Sequence, residues 1–165
     1  MGVVSPSLAS EDDIRTYTSA ESHTLAVAFH RRFGWRLLVV TDSHDPVWSD
    51  PEDENRSVPS VVHVYAVDGN GDAWDIRGKR PRTEVRNEMY ELFLVQDFCE
   101  EECDDEDGLA FFVGVWSDSG PPVERPLPVY SEEDVLRAEA VIVKAYPSVP
   151  VALIEEDGAQ PRFPR

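Results

Sequence analysis

Apolar and polar positions along the chain change period several times, and each change marks an element. In SHTLAVAFHRRF, Leu25, Ala26, Phe29 and Phe33 recur at three- and four-residue steps, placing one apolar stripe on a helix between Ser19 and Trp35. Gly34 follows as its C-cap. Upstream, SEDDIRTYT reads as a short helix with Ser10 as N-cap and acids in its first turn. WRLLVV is a buried strand rich in branched residues, and the Pro, Asp and Ser content of 45–59 marks a long acidic loop. SVVHVYAV and DAWDI alternate on either side of DGNG, the pattern of a β-hairpin. Helical spacing returns in RTEVRNEMYELFLVQDF, with Val85, Met89, Leu92 and Phe93 on one side. GLAFFVGVW reads as another strand. A proline-rich bridge, SGPPVERPLPVY, then leads to a helix from Ser131 to Tyr146 with Val135, Leu136, Ala140 and Val143 inward. Residues 1–10 read as a flexible lead-in and 147–165, with four prolines, as a loose tail. Helices first and mostly antiparallel strands afterwards amount to a single-domain α+β plan over 1–165.

Composition agrees with a folded domain. The 165 residues are 41% hydrophobic, with four Trp, five Tyr and seven Phe, enough for a real core. No apolar run approaches the roughly 20 residues that span a bilayer, so no membrane partner is expected. The start, MGVVSPSLASEDD, has neither a basic beginning nor a long apolar stretch. Its Met-Gly is followed by Pro at the sixth position, which argues against myristoylation. Cys99 and Cys103 are four apart in CEEEC, a spacing that suits two thiols on one helical face better than a disulfide framework. A reducing, cytoplasmic setting is the expectation.

Charge narrows the partners. Thirty-three acidic side chains against 15 basic ones leave a formal charge of −18. Such a surface repels a phosphate backbone, so direct nucleic-acid binding is not expected. Two clusters, DSHDPVWSDPEDE and DFCEEECDDEDG, carry much of the excess. They read first as solvated surface, and second as a face for a basic protein partner or as a nucleic-acid mimic. Neither has the glycine-pinned ligand spacing of an EF-hand loop.

The candidate chemistry begins with a serine in an odd place. At about 100° per residue, Ser22 projects into the middle of the apolar stripe of its helix. It either caps the helix or is held there for chemistry. His63 lies inside the first hairpin strand and Asp75 on the returning one. With a two-residue Gly69-Asn70 loop they point to opposite faces. With a three-residue Gly69-Asn70-Gly71 loop, Tyr65 falls opposite Asp75, and His63 and Asp75 become diagonal neighbours on one face. A nucleophile at a helix N-terminus, a His to take its proton and an Asp to orient that His would form an acyl-transfer site.

SHTLAVAFHRRFGW and HVYAVDGNGDAWDIRG resemble the papain-like and transglutaminase-like superfamily, and within it a group of small bacterial and phage proteins. In that group a Cys-His pair opens a helix ending LHRxxGW, and an HV…DG…LDIRG hairpin follows. The resemblance covers Ala20 to Gly78. It implies a helix packed on an antiparallel sheet and a hydrolase, amidase, deamidase or acyl-transfer activity on an amide or ester, with no cofactor and no metal. It also implies Ser22 as nucleophile, His63 as general base and Asp75 as orienter, with the Ser22 backbone N–H as first oxyanion donor and His23 lining the cleft. The nucleophilic Cys of the pattern is Ser22 here. The accounts open for it are an engineered change, a working serine, an inactive relative and a plain N-cap. Substrates on this reading are peptide, protein or small amide. Arg77, in the basic stretch RGKRPRTEVR that follows Asp75, stands as a substrate-binding candidate. The rival class is a non-enzymatic acidic interaction protein.

Overall fold

The computed structural model describes residues 5–6, 8–18, 21–116, 122–147 and 149. The first three elements are β1 (Ser5–Pro6), α1 (Glu11–Thr18) and α2 (Ser22–Phe33). A run of strands follows: β2 (Arg36–Asp42), β3 (Trp48–Ser49), β4 (Ser57–Val58), β5 (Ser60–Val67), β6 (Ala73–Asp75) and β7 (Gly78–Arg80). Next come α3 (Arg82–Glu91), β8 (Phe98–Cys103), α4 (Glu106–Ala110), β9 (Val115–Trp116), β10 (Val123–Glu124) and α5 (Glu132–Ala145). The architecture is α+β, with five helices among the described residues and a six-stranded sheet ordered β1-β7-β6-β5-β2-β8. Every pairing in that sheet is antiparallel.

Strand alternation divides the core between the two faces. Leu37, Val39, Val64, Ala66, Trp74 and Ile76 join α2 and α5 in one apolar cluster. Leu38, Val40, Tyr65, Val67 and Ala73 join Val85 and Met89 of α3 in the other. Each successive side chain of β2 and β5 crosses to the opposite face, so both strands are buried on both sides. Helix α2 is covered almost all round, with nine of its residues buried.

Local chemistry explains the boundaries. Ser10 and Asp13 cap α1 reciprocally, each accepting from the other's backbone N–H, and Ser131 and Asp134 do the same for α5. The hairpin between β5 and β6 pairs Val67 with Ala73 and Ala66 with Trp74, which is the three-residue register. Gly71, at φ 83°, takes the left-handed position that this loop needs. Asp68 organises the turn: its carboxylate accepts from the N–H groups of Asn70 and Asp72 and from Trp74 Nε1.

Four expectations from the sequence fail here. CEEEC is not helical: α3 stops at Glu91, and the chain returns as strand β8 along β2. The Asp42 carboxylate receives the N–H groups of Gln96 and Asp97 and so redirects the chain. Leu92 is consequently exposed rather than inward. GLAFFVGVW is mostly not a strand, because Asp105 accepts from Gly108 N–H and starts α4. On α5 the inward residues are Val135, Ala138, Ile142 and Ala145, while Leu136 and Val143 are exposed. The two alanines keep that face small where it meets α2, a fit that hydrophobicity alone does not rank. Within the lead-in, Ser5 and Pro6 pair with Lys79 and Gly78. Residues 1–4, 7, 148 and 150–165, and with them nearly all of the tail, lie outside the described residues.

Replacing Asp68 with Ala removes the acceptor of three hydrogen bonds and leaves the buried Trp74 N–H without a partner. The expected loss is about 2–4 kcal/mol in denaturant unfolding. A loss below about 0.5 kcal/mol would show that the turn is held by other means.

Candidate active site

The motif DIRG is a tight turn between β6 and β7, with Asp75 opposite Gly78. Asp75 Oδ1 accepts the Arg77 N–H at 2.9 Å, an Asx-type bond that closes the turn. Gly78 has φ 129°, where side-chain-bearing residues are strained. The other carboxylate oxygen, Oδ2, is left to point along the sheet face.

There it meets His63. The three-residue register puts both side chains on one face, and His63 Nε2 donates to Asp75 Oδ2 at 3.0 Å. Both residues are buried, at 2% and 3% exposure. Arg80 Nη2 donates to the same Oδ2 at 2.7 Å, and Tyr146 Oη donates to the Asp75 backbone carbonyl. Burial pushes the Asp75 carboxyl upward, but the hydrogen bond and charge of His63, the charge of Arg80 and the Arg77 N–H outweigh it. The group is held below the ordinary carboxylate range. With Nε2 committed to Asp75, the other ring nitrogen, Nδ1, is left buried and without a hydrogen-bond partner.

Ser22 reaches the same strand from the other side. Its hydroxyl accepts the Val64 N–H at 3.1 Å, one residue along from His63. The bond exists because β6 is short: beyond Trp74 it no longer pairs with β5, and Ser22 takes over the strand edge. Ser22 is not the N-cap. Glu21 holds that position without a side-chain cap bond, and the first intrahelical bond runs from Leu25 N–H to Glu21 carbonyl. The Ser22 hydroxyl makes no hydrogen bond to His63. His63 is paired across the strands with Val40 and its ring stacks on Tyr65, so it belongs to the face covered by α3, while α2 covers the other. Ser22 is therefore tied to β5 through the Val64 backbone N–H, while the His63 ring lies on the opposite face of the sheet.

The remaining candidates are engaged elsewhere. His23 is 1% exposed; its Nε2 donates to the Pro128 carbonyl at 3.1 Å, and its ring lies edge-on to Tyr130. Burial lowers its pKa, only partly offset by that carbonyl and by Asp134. Arg77 is ion-paired to Glu88 at 3.0 Å. The rest of the basic stretch is also paired: Lys79 with Asp72, Arg80 with Asp75 and Glu88, and both Arg82 and Arg86 with Glu100. Cys103 is buried beneath α4, and burial together with Glu101, Asp105 and Asp104 pushes its thiol up.

Two members of this network escaped the sequence reading, Arg80 and Glu88. Arg80 reaches the face of Asp75 through the two-residue turn, which sets it opposite Ala73; alternation counted straight on from Asp75 puts it on the other face. Glu88 is reached only once α3 is laid over that face.

Among the described residues, no cluster of three or more His, Cys, Asp or Glu is arranged to hold a metal ion, and no helix is long and apolar enough to cross a membrane. No family model matches the chain, and no curated protein or solved structure compared with it shows significant similarity.

The lowered pKa of His23 makes a signed prediction. The unfolded chain takes up this proton near the ordinary value of 6.5, earlier than the folded one. This contribution to stability is therefore complete above that value and is lost as pH falls below it. Comparing unfolding midpoints at pH 7.5 and 5.5, His23→Gln should lose less stability on acidification than the native chain. Equal losses would show that His23 does not carry this dependence.

Proposed function

We propose that the chain is a papain-like/transglutaminase-like domain whose acyl-transfer site, Ser22-His63-Asp75, is silenced by serine at the position of the nucleophilic thiol. The observation that carries this reading is the pair of His63 nitrogens. Nε2 is fixed by Asp75, and Nδ1 is left buried without a partner on the residue next to Val64, whose N–H anchors Ser22. A general base needs this arrangement, one ring nitrogen held by a carboxylate and the other without a competing partner.

With a thiol at position 22, the sulfur attacks the carbonyl carbon of an amide or ester. The thiol proton passes to His63 Nδ1, and the imidazolium then gives it to the departing amine or alcohol. Water or a second nucleophile completes transfer from the acyl intermediate. The N–H groups at the start of α2 favour the developing oxyanion. Serine fits this poorly. Its hydroxyl must lose a proton during attack, and it makes no hydrogen bond to the base. A thiol is far more acidic and reaches further on its longer bond.

Ser22→Cys should be labelled by an electrophilic amide-mimic probe, the native chain should be labelled at least about tenfold more slowly, and Ser22→Cys with His63→Ala should lose the labelling. A folded Ser22→Cys protein that stays unlabelled removes the acyl-transfer reading.

A second reading has its own observation. The cations of the basic stretch are neutralised internally, whereas Glu52, Asp53, Glu54, Glu101, Asp104 and Asp105 stay exposed. A basic protein partner suits that surface. Capture of such a partner that survives Ser22→Ala but fails after charge reversal within 100–107 would favour it.

A further inference from the structure

We infer that Arg80 is a positioning residue: clamped by Glu88 of α3, it fixes the Asp75 carboxylate against His63 and takes up part of its charge, and so sets the strength of the base. The inference rests on the proposed site, but its first readout needs no reaction.

The geometry is specific. Asp75 Oδ2 accepts from two donors at once, His63 Nε2 at 3.0 Å and Arg80 Nη2 at 2.7 Å. Arg80 Nη1 is hydrogen-bonded to Glu88 Oε2, and Glu88 Oε1 is paired with Arg77 at 3.0 Å. The Arg80 side chain is only 13% exposed and Glu88 only 12%, so water screens the set little. Arg77 contributes twice, through its N–H to Asp75 Oδ1 and its guanidinium to Glu88, which closes a ring of contacts around the turn.

The other groups around His63 come from each packed element. On β5, Tyr65 stacks on the ring, and its hydroxyl donates to Glu100 of β8. Arg82 and Arg86 of α3 neutralise Glu100. On β2 the partner is the apolar Val40. From α2 the group that reaches β5 is the neutral Ser22 hydroxyl, bonded to the N–H of Val64, the residue after His63. Asp75 thus touches the imidazole directly, Arg80 shares its oxygen, and Glu88 acts through Arg80.

The consequence follows from sharing. An Asp bonded to a His alone places its whole charge at the disposal of the imidazolium. Here a guanidinium draws on the same oxygen, so the imidazolium is stabilised less. The carboxylate gains rigidity in return, because three donors fix both of its oxygens. Removing Arg80 should therefore make His63 easier to protonate. Removing the charge of Glu88 should do the reverse, since Arg80 would then act on Asp75 alone.

The test is ¹⁵N NMR of the His63 ring across pH 5–8 in the native chain, Arg80→Gln, Arg80→Lys and Glu88→Gln. The imidazolium-to-neutral ratio at a given pH should rise about tenfold in Arg80→Gln, fall in Glu88→Gln and stay near native in Arg80→Lys. A stability loss without change of the ratio in either variant would reduce the network to a structural clamp and overturn the inference. If Arg80→Gln does not fold, Glu88→Gln decides alone: a fall in the ratio supports the inference, and no change overturns it. In the Ser22→Cys background the acid limb of the labelling profile should move with the ratio. Should that background stay unlabelled, the acyl-transfer reading fails while the NMR still decides the role of Arg80.

Discussion

A buried carboxylate has to find partners, and Asp75 finds them from four parts of the chain. Arg77 N–H comes from its own turn, His63 from β5, Arg80 from β7, and Tyr146, after α5, meets its backbone carbonyl. An ion at 3% exposure without such partners would be strongly destabilising. Its satisfaction fixes the relation of the hairpin to the next strand and to the last helix together. Through Arg80 and Glu88 it also pulls α3 onto the sheet. The candidate site is therefore part of the fold's own scaffolding, and much of its rigidity comes without reference to any substrate.

Helix α2 supplies the other half by a different route. Its burial on nearly every side leaves few ways for it to shift along the sheet. Phe29, Phe33 and Trp35 pack with Trp74 of β6 and Tyr146, so the far end of the helix is held by stacked rings. The near end is held by two polar bonds, Val64 N–H to Ser22 Oγ and His23 Nε2–H to the Pro128 carbonyl. The Val64 N–H would otherwise be unpaired, because β6 ends too soon to receive it. The Ser22 side chain thus serves the sheet as the acceptor that closes the edge of β5.

How much of this was legible depended on the kind of signal. Periodicity showed α1, α2, β2, β5 and α5 because a buried face repeats at a fixed step. The hairpin register was open between two loops. Gly71 permitted the one observed, and Asp68, which accepts Trp74 Nε1 from across the loop, supports it. CEEEC was misread because its composition carries no strand signal. It is extended because β2, buried throughout most of its length, needs a partner on its second edge. The inward face of α5 was misread for a related reason: small residues were required at Ala138 and Ala145, and size matching is invisible until α2 is in place. The site followed the same rule. His63 and Asp75 were visible as a pair, while Arg80 and Glu88 depended on a turn and a helix docking over it.

The charge pattern bears on why a polar network could be buried in so acidic a chain. Acidic groups outnumber basic ones by 18, so cations are scarce. Those between Arg77 and Arg86 are all committed to acids around the hairpin and β8. Concentrating the cations there gives Asp75, Glu88 and Glu100 ion-pair partners at little exposure, while Glu52, Asp53, Glu54, Glu101, Asp104 and Asp105 stay on the exposed surface. An anionic substrate would approach against that surplus, because no guanidinium of this stretch is unpaired. A neutral or cationic amide would not meet the same repulsion. The surface thus favours the same sign of ligand on both readings, whether the chain acts on a carbonyl or simply holds a basic partner.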